Sequence, residues 1–412
     1  NGKSVRGALR FWWRACHGHQ FESADELFKA EAAIWGQSAK KGVDFAPSAV
    51  DIKIADLNPG KPFPPPELKT PIPPGKRNPV DPWQNQDSSE YPAYALFPFK
   101  EQDDPYKAPQ SGQSGVSFTL RLFDARRSGD RRNDDLSAAV NSALWAWIMF
   151  GGVGARTRRG CGALWSRSFK FNLQELPQFL RDQAAGYGDG DPDRKTLSIP
   201  TLRGSSALLL KPEGTQYADH IPAWIAAVNI MREFRQGTDI GRNGLYGRSL
   251  WPEADSIRNL IASNDPQKTF TKHPPENSET RYFPRLAFGA PIVFHFKDDD
   301  DPADHTLESG IDGATRMASP FILKPLAISK TKSLPLVLML NVPSPTGIPG
   351  ASFVLKHKQK VIHTLDLPDD VLSKVRSEPV VPINSFNAVD PREAFLNFIR
   401  DEWNERLLEG RL

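Results

Sequence analysis

Residues 150–164 read Phe-Gly-Gly-Val-Gly-Ala-Arg-Thr-Arg-Arg-Gly-Cys-Gly-Ala-Leu, so Gly151, Gly152, Gly154, Gly160 and Gly162 surround Arg156, Arg158 and Arg159. Glycine lets the backbone take positive φ and lets a ligand come close to the chain. Closely spaced backbone N–H groups beside three guanidinium forks suit an anion with many oxygens, such as a phosphodiester chain. Asp134 and Asp135 open a helix over Leu136 to Phe150, and Leu164 to Phe171 alternates like a strand with Trp165, Phe169 and Phe171 on one face. The order is therefore helix, glycine loop, strand. A dinucleotide fingerprint or a P-loop needs the reverse, with phosphate meeting a helix N-terminus. Here the glycines follow a helix C-terminus, whose dipole disfavours phosphate, and no Gly-Lys-Ser/Thr closes the loop. The bland alternative is a glycine C-cap with solvated arginines. It needs two or three glycines rather than five.

A second cationic feature lies at the start of the chain. Lys3, Arg6, Arg10 and Arg14 recur at helical spacing beside an apolar stripe of Val5, Ala8, Leu9, Trp12 and Cys16. Like charges at i,i+4 weaken a helix, so the stripe calls for an anion outside it. Two further clusters invite catalysis. Cys16, His17 and His19 place two imidazoles at a helix end, where acid–base work on RNA is conceivable, but no partner acid or base accompanies them. They also lack the second ligand pair of a metal site. Asp298–Asp301 with Asp304 and His305 suggests a metal-dependent nuclease, although ligands crowded on one loop read more simply as a solvated acidic run. The residues thus predict no catalytic centre, no metal and no cofactor.

The 412 residues carry a net charge of only +3, so the basic clusters rather than a global field carry the nucleic-acid signal. This length predicts two domains, 1–190 and 191–412. Cys16 and Cys161 are the only cysteines, which points to a reducing, cytoplasmic setting without a disulfide framework. No apolar run reaches membrane-spanning length.

Patterning predicts helices over 3–16 and 23–35, the latter opened by a capping box of Ser23 and Glu26 and stopped by Gly36. Strands are predicted over 50–54, 94–99 and 115–123, and the proline-rich segment 57–112 reads as a long insertion. Arg126, Arg127, Arg131 and Arg132 form a basic turn before the tryptophan helix. A short helix follows from Phe171 to about Tyr187. The second half predicts strands over 205–210, 286–296, 321–328 and 335–342, with helices over 220–234 and from Trp251 to Leu260. A last helix is opened by Asp390, Pro391 and Glu393. With one strand placed ahead of Lys3, the first half reads β-α-β-β-α-β, the ferredoxin-like order.

Ser4–Arg14 resembles the start motif of the RAMP superfamily, the repeat-associated proteins of CRISPR systems, and Gly151–Gly162 resembles that superfamily's glycine-rich loop. With Gly247–Arg258, Pro284–Pro291 and Arg316–Pro320, the chain resembles the Cmr-one subunits of type III-B effectors. The resemblance implies an α+β fold of tandem ferredoxin-like (RRM-like) RAMP domains with long loop insertions. It implies a first strand ahead of Asn1. It also implies a non-catalytic RNA-binding subunit, partnered by other Cmr subunits, that holds the crRNA 3′ region and target single-stranded RNA. The candidate RNA-binding residues are then Lys3, Arg6, Arg10, Arg14, Gly151, Gly152, Gly154, Arg156, Arg158, Arg159, Gly160, Arg248 and Arg316. A metal-independent RAMP endoribonuclease is the alternative. Arg159–Trp165 superficially resembles an RRM stacking motif, but Cys161, Ala163 and Leu164 occupy its aromatic positions, which favours tracking of the RNA backbone over base stacking.

Overall fold

The computed structural model describes residues 2–39, 45–63, 92–96, 112–126, 135–169, 199–212, 214, 217–244, 247–276, 282–296, 298–310, 315–343, 352–365 and 380–411. Their contacts gather into two compact units. The first comprises residues 1–229, 322–341 and 408–412; the second comprises 230–321 and 342–407. The expected division after residue 190 is thus redrawn. Leu336, Leu338 and Leu340 come from late in the chain, yet they are buried in one core with Leu9, Trp12 and Trp145.

In the first unit, α1 (Gly2–His17) buries Val5, Leu9, Trp12, Trp13 and Cys16, as its spacing predicts. Helix α2 (Ala24–Trp35) begins at Ser23, whose Oγ accepts from the Glu26 N–H at 3.2 Å, and stops at Gly36. The Glu26 carboxylate reaches back to the Glu22 N–H at 3.2 Å, one residue before the cap itself. Strand β1 (Val50–Asn58) is followed by the short strand β2 (Lys61–Phe63) and a helical turn, α3 (Ala93–Leu96). The strand expected from Tyr94 is therefore a helix through Leu96. Strands β3 (Gly112–Ser114) and β4 (Ser117–Asp124) return antiparallel to β2 and β1, so both ends of the insertion are clamped together.

Helix α4 (Asp135–Phe150) packs against α1 and buries Val140, Ala143, Trp145, Trp147 and Phe150. The strand expected over 164–171 is not formed at Leu164–Phe169; Ala163 makes only an isolated bridge to Gly152. Leu164 and Phe169 still pack on the core, so their alternation reflects burial without a ladder. Residues 170–187, with the short helix expected there, lie outside the described residues, as do Arg127, Arg131 and Arg132.

A five-stranded sheet completes this unit, built from β5 (Thr201–Leu210), β6 (Ala218–Asp219), β9 (Phe321–Ala327), β10 (Lys332–Asn341) and β13 (Leu407–Arg411). β10 runs antiparallel to β5 with Leu336 opposite Leu209 and Leu338 opposite Ala207. Among the described residues, the β1–β4 pair and this sheet are separate sheets rather than one four-stranded ferredoxin sheet.

Helix α5 (His220–Gln236) crosses the boundary between the units in sequence. The second unit contains α6 (Glu253–Asn264) and an antiparallel sheet ordered β12-β11-β8-β7, where β7 is Ile292–Phe294, β8 His305–Ser309, β11 Phe353–His357 and β12 Lys360–Thr364. The long strand expected over 286–296 is reduced to β7. Pro284–Phe288 is a 3-10 turn, Gly289 has φ +108°, and Pro291 offers no donor to a ladder. Phe234 anchors this unit's aromatic core, with ring centroids 5.2–6.0 Å from Trp251, Phe288, Phe386, Phe395 and Phe398. Helix α7 (Val381–Asn384) precedes α8 (Pro391–Trp403), capped by the Asp390 carboxylate on the Arg392 N–H at 2.7 Å. No helix among the described residues is long and apolar enough to cross a membrane.

The anion that the basic stripe of α1 requires is Glu31 of α2, buried to 4% exposure. Its Oε1 lies 2.5 Å from Arg10 Nε and 2.5 Å from Arg14 Nη1. Arg6 instead donates to Trp35 O at 3.0 Å, Ser48 Oγ at 2.5 Å and Val50 O at 3.3 Å, joining α1 to the end of α2 and the start of β1. Glu31→Gln keeps the volume and removes the charge, leaving two guanidinium groups at i,i+4 uncompensated. Denaturant unfolding is expected to show a loss of about 2–4 kcal/mol, below the 3–5 typical of a fully buried pair because the arginines stay partly wet. A loss under about 0.5 kcal/mol, the scale of an exposed pair, would contradict this role.

Candidate nucleic-acid interface

The glycine loop is a pinched hairpin rather than an open coil. Gly152 bridges Ala163, and the Val153 N–H donates to Gly162 O at 2.9 Å, which leaves Val153, Gly154 and Ala155 as an exposed tip. Residues Thr157–Arg159 form one 3-10 turn, closed by Arg159 N–H to Arg156 O at 2.8 Å and Gly160 N–H to Thr157 O at 3.1 Å. Gly160 has φ +83°, and a Cβ there would sit 2.4 Å from Trp224 Nε1 and 3.0 Å from Leu323 O. That indole donates to Arg159 O at 2.6 Å. The base of the loop is thus seated against α5 and β9, and only its tip projects.

The glycines divide by role. Gly151 is buried, and a Cβ on it would strike Trp12 Nε1 at 2.5 Å. Gly152 is limited by the returning chain, with Gly162 O at 2.9 Å from its Cβ position. Gly154 has none of the described residues within 4 Å of its Cβ position but adopts φ +90°, so the constraint seen there is backbone conformation.

The three arginines are drawn partly inward. Arg156, at φ +58°, donates through Nε to Ala95 O at 2.5 Å, which ties the loop to α3. Arg158 lies over the Phe11 ring of α1, 5.5 Å from its centroid. Burial, then the neighbouring Arg159 charge, pushes its pKa down to about 10, and burial also lowers that of Arg156. Arg159 holds its Nη1 out of solvent. The arginines therefore shape the loop and join it to α1 as well as charging it. On α1, Lys3 is exposed, while Arg6, Arg10 and Arg14 are half-buried on their protein partners. So the first unit brings together Lys3, Arg14, Phe11, Arg158 and the loop on α1 and beside it. Arg248 and Arg316 belong to the second unit. There Arg248 donates to Pro274 O at 2.8 Å and pairs with Asp255, and Arg316 is exposed.

Sequence reasoning missed the residue that holds the loop's root. Helix α4 has no basic residue in its last turn, yet its end is buried. Lys324 of β9, itself fully buried, donates from Nζ to Gly151 O at 2.8 Å and Ile148 O at 3.3 Å. An Nζ donor there satisfies orphan carbonyls, and in its protonated form it opposes the negative end of the helix dipole. The signal was a lone lysine in the apolar run Phe321–Leu326.

The catalytic alternatives find little geometry. His17 accepts or donates at 2.8 Å with Ser142 Oγ and lies against Trp13, with ring centroids 5.4 Å apart. Burial pushes its pKa down to about 4, far from a base poised near neutrality. The Cys161 thiol is pushed up to about 11 by burial, which suppresses thiolate chemistry. In the second unit, ligand atoms of His273, Asp298 and Asp301 lie within 4.8 Å of one another. Each is already engaged: Asp301 by Arg258 at 2.7 Å, and Asp298 by His273 at 3.0 Å and Lys272 at 3.2 Å.

Lys324 gives this anatomy a pH signature. Burial lowers its pKa from the usual 10.5 to about 7, so between those values the unfolded chain binds the extra proton and stability rises with pH. Relative to Lys324→Met, the wild type should therefore gain stability from pH 7 to 10, by at most about 1.4 kcal/mol per pH unit. Parallel stability–pH curves for the two proteins in urea titrations would contradict the lowered pKa of the buried Lys324 amine.

Residues 1–165, which carry α1, the β1–β4 pair, α4 and the glycine loop, match the RAMP superfamily model. The crystal structure of Cmr1 from Pyrococcus furiosus, apo form, aligns with a TM-score of 0.42 at 15% identity, covering 83% of this chain and 80% of that one. No curated protein matches the chain.

Proposed function

We propose that this chain is an RNA-binding subunit of a type III-B CRISPR effector, holding single-stranded RNA by its backbone and leaving cleavage to another subunit. The observation that carries the reading is the exposed tip Val153–Ala155 of a loop whose Arg158 lies over Phe11 on the basic helix α1, within the segment that matches the RAMP model. The start motif, the glycine loop and the Cmr-one-like segments in the second half support the type III-B assignment, with crRNA 3′ region and target RNA as the ligands. The tandem ferredoxin-like architecture and partnership with other Cmr subunits belong to the same reading. Phosphate contacts from a loop and a basic helix position a strand without reading its sequence, so little sequence preference is expected. The ribonuclease alternative is disfavoured by the low pKa and the Ser142 contact of His17.

Ala155 is exposed at the tip, so Ala155→Glu adds a negative charge without disturbing packing. Fluorescence anisotropy with unrelated single-stranded RNAs should show affinity falling about tenfold or more, the equivalent of about 1.4 kcal/mol, at unchanged Tm. The wild-type log affinity should fall linearly with log salt, at about 0.7 per phosphate contact. The RNA should remain uncut in every incubation, with or without divalent metal. Unchanged affinity in a folded Ala155→Glu protein would remove the loop tip from the interface. Cleavage lost in His17→Ala would favour the ribonuclease.

A further inference from the structure

Gly7 occupies the middle of α1, is exposed, and has no described residue within 4 Å of the position a Cβ would take. Its backbone is helical, so no positive φ requires glycine there. Glycine weakens a helix interior relative to alanine, and among the described residues no side chain or strand uses the space it leaves. What surrounds Gly7 does point to a ligand. Lys3 lies one turn before it and Phe11 one turn after, and the Arg158 guanidinium covers the Phe11 ring at 5.5 Å. Arg10 and Arg14 flank the same line and keep 29% and 34% of their side-chain surface exposed, while the Glu31 that pairs with them keeps 5%. The bare helix backbone at Gly7 is thus bordered by cations before, after and alongside, and the compensating carboxylate is buried.

We infer that Gly7 is a contact residue of the RNA site, the point where the sugar–phosphate backbone crosses α1 in direct contact with the helix main chain, between Lys3 and Arg158. This rests on the proposed RNA-binding reading and extends it to a residue that carries no charge. One helical turn separates Lys3 from Gly7 and Gly7 from Phe11, a step suited to successive units of an extended strand. A methyl group at position 7 would hold the strand off the helix and weaken every contact on either side. A protein partner would tolerate that group by shifting a side chain, whereas a phosphodiester backbone has no side chain to shift.

The test is Gly7→Ala in the full chain, with Tm and single-stranded RNA affinity measured together. The expected result is a Tm equal to or above wild type and an affinity lower by about tenfold, with Gly7→Leu lower still. The combination separates contact from structure, because a structural role would lower Tm. Wild-type affinity in a folded Gly7→Ala protein that still responds to Ala155→Glu overturns the inference and leaves the RNA reading standing. A lowered Tm assigns Gly7 to packing and also overturns it. Failure of the wild type to bind single-stranded RNA overturns both.

Discussion

A helix that ends inside a protein leaves carbonyl groups facing along its axis, and the account of this chain turns on how α4 meets that demand. Its last turn supplies no cation, and the chain turns at once into glycine. Lys324 arrives from β9 to serve Ile148 O and Gly151 O, while Trp147 Nε1 serves Gly152 O at 3.0 Å. With the root fixed on one side and Gly160 seated against Trp224 on the other, the hairpin between them has little freedom except at its tip. A loop held this way would spend little conformational entropy on binding a ligand.

The cationic stripe of α1 is governed by the same economy of charge. One buried carboxylate holds Arg10 and Arg14, and backbone carbonyls with Ser48 hold Arg6. These arginines are therefore pre-oriented. Their side-chain entropy is lost on folding rather than on ligand binding, while Arg10 and Arg14 stay partly exposed. Arg158 joins this surface from the loop across Phe11, so two segments far apart in sequence present one face.

Much of this was legible in the sequence. The caps at Ser23 and Asp390, the buried stripe of α1 and the strands expected over 50–54, 115–123 and 335–342 are local patterns with local causes, and they survive in the structure. Leu164–Phe169 misled because an irregular segment can bury alternate apolar residues without hydrogen-bonding as a strand. Residues 286–296 misled because Gly289 and Pro291 break an apolar run that otherwise looks continuous. At the site, residue types showed where charge would gather but not what it would touch. Glu31, Ala95 and Lys324 are each placed by tertiary packing, and no spacing rule links them to Arg10, Arg156 or Gly151.

The central claim is that single-stranded RNA lies on the outer face of α1 and the tip of the glycine loop. Amide hydrogen exchange, with and without saturating single-stranded RNA, addresses it without any substitution. The account predicts slower exchange in peptides spanning residues 2–11 and 151–162 when RNA is present, with α6 of the second unit unchanged. Protection confined to the second unit, or none over those two peptides at saturation, would contradict it.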